Sequence, residues 1–518
     1  MSSLSRRAFF TRTAGGLGAA GLALCSAGGG VNGCAVKPKR PNILLAISDD
    51  QSWLHTGALG CRAVHTPAFD RIAAEGVFCS NIFCAAPQCS PNRASLLTGR
   101  HLWQNEEAGT HASSFPRHLM VYPDLLEKAG YAVGFTGKPW GPGDWQVSGW
   151  LRNPAGNEFN QVKTAAVPSS GIARDDYAAN FKLFLARKER NRPFCFWYGC
   201  KEPHRDYEKG SGLKAGKKLE QVQVPPFLPD TDAVRSDLLD YLLEIEWFDR
   251  HLAAMMNLLA ERGELDDTLI IVTSDNGMPF PRAKANLYEY GVHLPLAVRY
   301  PAAVPSGRRI DDLISFVDLA PTLLQAAGLA APGMMTGRSF WPLLTADQSG
   351  ILDSSRDHVL FGRERHTHAR PDNLGYPSRA IRTHQYLYIW NMKPARWPAG
   401  DPPGFYDVDA SPSKEDILEH RGQGPSAGFF ALAFGMRSEE ELYDVAVDPA
   451  CLNNLAQMES HASIRQALRA KLESRLRMQG DPRMKGSEIF DSYPRYSPMR
   501  MEFPGFKEQN EYNSRYYG

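Results

Sequence analysis

Asn42-Ile43-Leu44-Leu45-Ala46-Ile47-Ser48 is an unbroken apolar run that ends on two adjacent carboxylates, Asp49-Asp50. A second segment of the same design, Thr268-Leu269-Ile270-Ile271-Val272-Thr273-Ser274, runs into Asp275-Asn276-Gly277. Runs this apolar, without alternation, read as strands covered on both faces, the pattern of a parallel sheet. Working outward, Pro67–Glu75 reads as a helix before a strand at Val77–Phe83, and Tyr122–Ala129 as a helix before Tyr131–Thr136. Asp175–Lys188 precedes Pro193–Gly199 in the same way, and a long helix over Ala233–Arg262 stops at Gly263 before the second buried strand. The alternation predicts an α/β fold, a mostly parallel sheet sandwiched by helices, over residues 41–352. Functional residues of such sheets gather beyond the C-terminal ends of the strands, where both acidic clusters fall.

Past Leu352 the texture changes. Short aromatic strands at Val359–Gly362, Tyr386–Trp390 and Glu441–Val445, a Pro-rich loop over Lys393–Pro403 and an amphipathic helix at Ile464–Met478 predict a smaller C-terminal α+β subdomain over 353–518, carrying a short antiparallel sheet. At the other end, Ser5-Arg6-Arg7-Ala8-Phe9-Phe10 precedes a stretch of small residues from Ala14 to Gly30. Residues 1–35 therefore read as an export signal that resembles the twin-arginine type, which predicts a periplasmic or extracellular protein. Val31-Asn32-Gly33-Cys34 can be read as a lipobox, which would add a lipid anchor at Cys34. Gly16-Leu17-Gly18-Ala19-Ala20-Gly21 fits a dinucleotide fingerprint in letters only, because no strand precedes it.

With 58 Lys+Arg against 57 Asp+Glu the net charge is +1, which argues against a general nucleic-acid partner. An anionic substrate must then be met by local positive charge. No apolar run in the body is long enough to span a bilayer. Of nine cysteines, Cys25 and Cys34 lie in or beside the signal, and none of the others forms a C-x-x-C pair. This argues against a zinc ribbon and a thioredoxin-like site, and an odd number in the body leaves at least one cysteine unpaired or chemically changed.

Adjacent carboxylates at a dry strand end repel one another unless a cation compensates. Asp49, Asp50, Asp275 and Asn276 offer only oxygen, which suits Ca²⁺ and, as second choice, Mg²⁺, not zinc. Cys89-Ser90-Pro91-Asn92-Arg93 opens a short helix with Pro91 in its first turn, where a missing N–H costs nothing. Cys89 and Arg93, four apart, share a face of that helix.

This C-x-P-x-R motif, running into Ala94-Ser95-Leu96-Leu97-Thr98-Gly99-Arg100, resembles the signature of the type I, formylglycine-dependent sulfatases within the alkaline-phosphatase-like superfamily. Asp49-Asp50, Cys89, Gly137-Lys138 and Thr273-Ser274-Asp275-Asn276-Gly277 occur in that family's order and spacing, so the likeness covers Pro41 to Val445. Glu202-Pro203-His204-Arg205, Asn276-Gly277-Met278-Pro279-Phe280-Pro281, Asn286-Leu287-Tyr288 and Tyr376-Pro377-Ser378-Arg379-Ala380-Ile381-Arg382 are similar to the bacterial sulfatases of the N-sulfoglucosamine sulfohydrolase (heparan sulfamidase) group. Glu441-Leu442-Tyr443-Asp444 extends that likeness into the C-terminal part.

The resemblance implies that a formylglycine-generating enzyme converts Cys89 to 3-oxoalanine, whose hydrate is the nucleophile. It implies that Asp49, Asp50, Asp275, Asn276 and modified Cys89 hold one Ca²⁺. Arg93 would hold the hydrate, Lys138 and Lys284 the sulfate, and His204 would be the general acid. A soft thiolate is mismatched to such an oxygen-rich site, whereas a gem-diol offers hard oxygens.

Two departures stand out. Gly137-Lys138-Pro139-Trp140 replaces the family's G-K-x-H, so Trp140 takes the position of a second histidine and is expected to stack on a sugar ring. Asn92 replaces the serine commonest before the arginine. Arg363, Arg365, His366, His368 and Arg370 are expected to line a saccharide cleft, because they grip carboxylates, sulfates and hydroxyls. The expected activity is hydrolysis of sulfate esters or N-sulfo groups of a sulfated carbohydrate. The rivals are a phosphate or phosphonate monoester hydrolase of the same superfamily and an inactive carbohydrate-binding paralogue with unmodified Cys89.

Overall fold

The computed structural model describes residues 40–422 and 426–496; the expected export signal and the Cys34 lipobox lie outside the described residues. Eight strands form one sheet: β1 (Asn42–Ser48), β2 (Val77–Cys79), β3 (Ala132–Gly137), β4 (Asn157–Glu158), β5 (Phe194–Gly199), β6 (Thr268–Ser274), β7 (Leu296–Arg299) and β8 (Arg308–Ile310). Their spatial order is β8-β2-β7-β6-β1-β5-β3-β4. Only β7 is reversed, pairing antiparallel with both β6 and β2. The sheet is thus the mostly parallel one that the two apolar runs predict.

The pleat divides β1 between two cores. Ile43, Leu45 and Ile47 pack on one face with Leu126, Leu96, Leu97 and Leu323 of the helices covering it. Leu44 and Ala46 pack on the other with Phe69, Phe181, Phe248 and Leu252. Helices at Pro67–Glu75, Tyr177–Arg187 and Asp232–Glu261 cover that second face, within two residues of their expected bounds.

The single strand expected at Val77–Phe83 is instead two strands in different sheets. Val77–Cys79 joins the large sheet, while Ile82–Phe83 joins a three-stranded one with His293–Leu294 and Ile314–Ser315. The polar pair between them causes the break: Ser80 Oγ donates to Ile310 O at 3.2 Å and Asn81 Nδ2 to Asp311 O at 2.9 Å.

The C-terminal sheet is antiparallel and runs β9 (Val359–Arg363), β10 (Ser378–Arg382), β11 (Tyr386–Asn391), β12 (Glu440–Asp444). One face buries Leu360, Ile381, Tyr388 and Leu442 against Leu468, Leu472 and Leu476 of the Ala462–Met478 helix. The other sends Phe361, Ala380, Leu387 and Ile389 into the core of the main sheet. β10 escapes sequence reading because its arginines look solvent-facing. They are buried: Arg379 pairs with Asp481 at 2.6 Å and Glu364 at 2.7 Å, and Arg382 with Glu289 at 3.0 Å. No helix of the described residues is long and apolar enough to cross a membrane.

Gly137, the last residue of β3, has φ +77°, and a Cβ there would lie 1.9 Å from Gly199 O and 2.8 Å from Tyr177 Cε1. Gly137→Ala is expected to lower stability by about 2 kcal/mol or more, from left-handed strain plus the backbone clash. It should also displace Lys138. Chemical denaturation of the variant checks the first effect.

Candidate active site

In the register of the sheet, Ser48 lies beside Ser274, Ile47 beside Gly199, and Gly199 beside Gly137. Four chain segments therefore leave the sheet at one level: Asp49-Asp50, Asp275-Asn276, the loop to His204, and Lys138. The Cys89–Thr98 helix, all ten of whose residues are buried, brings its first residue to the same place. Cys89 Sγ lies 3.3 Å from Asp49 Oδ1 and 3.9 Å from Asp50 Oδ1. One atom each from Asp49, Asp50, Cys89 and Asp275 falls within 4.8 Å of all the others. Asn276 Nδ2 donates to Asp50 Oδ1 at 2.5 Å, while Asn276 Oδ1 is buried with no hydrogen-bond partner.

Three cations flank the carboxylates. Arg93 Nε donates to Asp275 Oδ2 at 2.8 Å, and its Nη1 to the carbonyls of Lys138 and Pro139 at 2.6 and 3.0 Å. Arg93 Nη2 makes no hydrogen bond and lies 3.6 Å from Asp49 Oδ1. Lys138 Nζ pairs with Asp49, and Lys284 Nζ bridges Asp50 Oδ2 at 2.6 Å and Asp409 Oδ2 at 3.2 Å. Burial alone would raise the Asp49 carboxyl, but Lys138, Arg93 and His204 hold it well below the usual range. Burial and then Asp49 push Asp275 up to about 7. Burial, followed by Asp49, drives the Cys89 thiol well above its ordinary value. An unmodified Cys89 is therefore a protonated thiol at neutral pH and a poor nucleophile. Four carboxylates against three cations leave a deficit of positive charge, and with the orphaned Asn276 oxygen this donor set fits a hard divalent cation.

His204 is part-exposed. Its Nδ1 donates to Arg205 O at 2.5 Å, and its Nε2 lies 4.0 Å from Asp50 Oδ2. The loop is fixed by Arg205, whose guanidinium pairs with Asp237 at 2.7 and 2.8 Å. A cavity of 310 Å³ opens here, with Asp49, Lys138 and His204 in its wall. A larger cavity of 730 Å³, bordered by Trp247 and His251, lies on the outer helical layer and includes none of the carboxylates.

Trp140 differs from expectation. It is 2% exposed, its indole N–H donates to Ser90 O at 3.1 Å, and its ring meets Phe115 edge-on at 5.1 Å. A ring so enclosed has no face free for a sugar; it braces the start of the Cys89 helix instead. The segment expected to line a saccharide cleft is likewise interior. Arg363 and Arg370 converge on Asp407 Oδ2 at 3.1 and 2.6 Å, and His366 Nδ1 lies 3.2 Å from Asp407 O. Arg365 donates to the carbonyls of Tyr493 and Pro494 at 2.5 and 3.0 Å, and His368 is buried beside this network. Buried acids and carbonyls absorb the arginines that composition suggests for a saccharide cleft.

All seven cysteines of the described residues are free. Asn92, noted only as a departure in the sequence, is a clamp: its Oδ1 accepts from Ala85 N at 2.7 Å and its Nδ2 donates to Asp275 O. Asp409 and Asp237, which hold Lys284 and Arg205, were missed because nothing local marks an acid whose partner is distant in the chain.

Among solved structures, one bound to its substrate D-glucosamine-2-N,6-O-disulfate matches with TM-score 0.63 at 21% identity, covering 87% of this chain and 100% of that one. The likeness shows a shared fold, the alkaline-phosphatase-like one. The sulfatase family matches residues 41–329, and the chain belongs to that family: it is a sulfuric ester hydrolase. Residues 282–418 also match the N-sulphoglucosamine sulphohydrolase C-terminal family. Among relatives, human N-sulphoglucosamine sulphohydrolase is 28% identical over 479 residues, covering 85% of this chain and 90% of that one. An ulvan-active sulfatase of Formosa agariphila is 28% identical over 458 residues, covering 86% and 81%.

Trp140→Phe keeps the packing and removes the bond to Ser90 O. It is expected to cost about 1 kcal/mol of stability and to leave KM for a saccharide unchanged. Thermal denaturation and steady-state kinetics check both; a large rise in KM would restore the stacking role.

Proposed function

We propose that the chain hydrolyses sulfate esters or N-sulfo groups of a sulfated carbohydrate, with Ca²⁺ and a formylglycine made from Cys89. The observation that carries this reading is the gathering of Asp49, Asp50, Cys89 and Asp275 donor atoms within 4.8 Å at the strand tips, beside an unpartnered Asn276 oxygen. Asp49, Asp50, Asp275 and Asn276 would hold the cation. Bound Ca²⁺ supplies Lewis-acid charge and formylglycine supplies a hydrated aldehyde as nucleophile.

The chain's own residues do the rest. Arg93 fixes side chain 89 through its remaining guanidinium donor. Lys138 and Lys284 bring positive charge to the sulfate oxygens, where charge stays high through the transition state. With His204 Nδ1 committed to Arg205 O, Nε2 is the atom that delivers a proton to the leaving oxygen or nitrogen. The names of the relatives support a glycosaminoglycan-like or algal sulfated polysaccharide as substrate class. Export through the signal read in residues 1–35 suits such polymers, which stay outside cells, and residues 353–518 form the C-terminal subdomain of this reading.

Mass analysis of the peptide containing residue 89 from active protein tests the core of the proposal: it should be about 18 Da lighter than the thiol form. A plain thiol in active material, or clear preference for aryl phosphate over aryl sulfate, would overturn it. Chelation should lower the melting temperature, and Ca²⁺ should restore it, with a rise that follows the logarithm of ligand excess. His204→Ala should cut kcat by roughly 10²–10⁴-fold on a saccharide and much less on an aryl sulfate, whose leaving group needs no proton.

A further inference from the structure

The cavity that opens onto Asp49 and Lys138 has a cation in its wall that the reaction does not use: Lys201. Its backbone is fixed on both sides, the amide donating to Tyr177 OH at 3.2 Å and the carbonyl accepting from His204 N at 3.1 Å. Its side chain is held as well. Lys201 Nζ donates to Asp175 Oδ2 at 2.9 Å, and Asp175 Oδ1 takes Lys163 Nζ. Asp175 is 3% exposed while Lys201 is 47% exposed, so a buried carboxylate anchors a half-exposed ammonium.

The charge does not cancel. Two ammoniums on one carboxylate leave a net +1. An ammonium has three N–H donors, of which Asp175 takes one from Lys201. Lys138 and Lys284, by contrast, pair with Asp49, Asp50 and Asp409 beside Cys89 and are assigned to the sulfate that is hydrolysed. A solvated surface lysine samples many rotamers at a cost of order 2 kcal/mol to immobilise; here the cost of ordering is met before a ligand arrives. A fixed positive charge in a cleft attracts anions more strongly than the same charge on open surface.

We propose that Lys201, anchored by Asp175 whose charge Lys163 offsets, is a subsite for a second anionic substituent of the saccharide, a carboxylate or another sulfate, carried beside the group that is hydrolysed. The inference rests on the sulfatase reading above. It makes Lys201 a specificity residue, with no part in bond cleavage.

The test compares wild type, Lys201→Gln and Lys163→Gln on four substrates. These are glucosamine bearing one sulfate on nitrogen, glucosamine bearing one on O6, the N,6-O-disulfated sugar, and N-sulfated glucosamine joined to a uronic acid. Lys201→Gln should raise KM about fivefold for the disulfated sugar or for the uronate disaccharide, with kcat unchanged and the singly charged sugars unaffected. Which of the two responds identifies the anion as sulfate or carboxylate. Lys163→Gln should act in the same direction but more weakly, because Asp175 then neutralises Lys201. The differences should shrink as salt rises, which a purely structural defect would not do. Equal changes on all substrates, or none on any, overturn the subsite while leaving the sulfatase reading intact. A wild-type protein that turns over none of them while hydrolysing an aryl sulfate overturns the subsite alone; one that hydrolyses neither overturns both.

Discussion

The site depends on the parallel pairing of β1 with β5 on one side and β6 on the other. Side chains alternate faces along a strand, so a slip of one residue in either pairing would turn a carboxylate away from the cluster. What prevents the slip is apolar burial on both faces. Ile43, Leu45 and Ile47 fill one core while Leu44 and Ala46 fill the other, and neither set exchanges with polar residues at low cost. Rigidity at the strand tips is thus bought by the least polar part of the chain.

Holding carboxylates in that interior is expensive. Each loses its hydration, and the loss is offset only by good hydrogen bonds and opposite charge. Arg93, Lys138 and Lys284 provide the opposite charge, and each is itself buried or part-buried; Arg93 and Lys284 each reach two acids, and Lys138 pairs with Asp49. The same pattern recurs away from the chemistry, where Arg379 joins Glu364 and Asp481, and Arg363 with Arg370 joins Asp407. The molecule uses buried ion pairs to set geometry at the centre and to lock the C-terminal sheet onto it.

Much of this was legible in the sequence because it is written locally. The strands β1 and β6, the capped long helix and the cysteine motif each carry their own pattern within a few residues. The parts that were not legible depend on distant partners. Arg363, Arg365 and Arg370 read as the lining of a saccharide cleft because such groups grip carboxylates, sulfates and hydroxyls; Asp407 and the Tyr493–Pro494 carbonyls, far along the chain, make them interior. Trp140 read as a sugar platform because an aromatic near a strand tip often is one, and its enclosure by Ser90 and Phe115 is a tertiary fact. β10 was hidden by the arginines that its ion pairs bury.

The helix that opens with Cys89 exposes none of its residues, and that has a bearing on the order of events in the life of the chain. Any enzyme that alters side chain 89 must reach it while the polypeptide is still open, since afterwards the sulfur sits beneath its neighbours. On the proposed formylglycine chemistry, protein that closes around an unaltered thiol is well folded yet beyond rescue, so two batches with the same spectrum can differ wholly in competence.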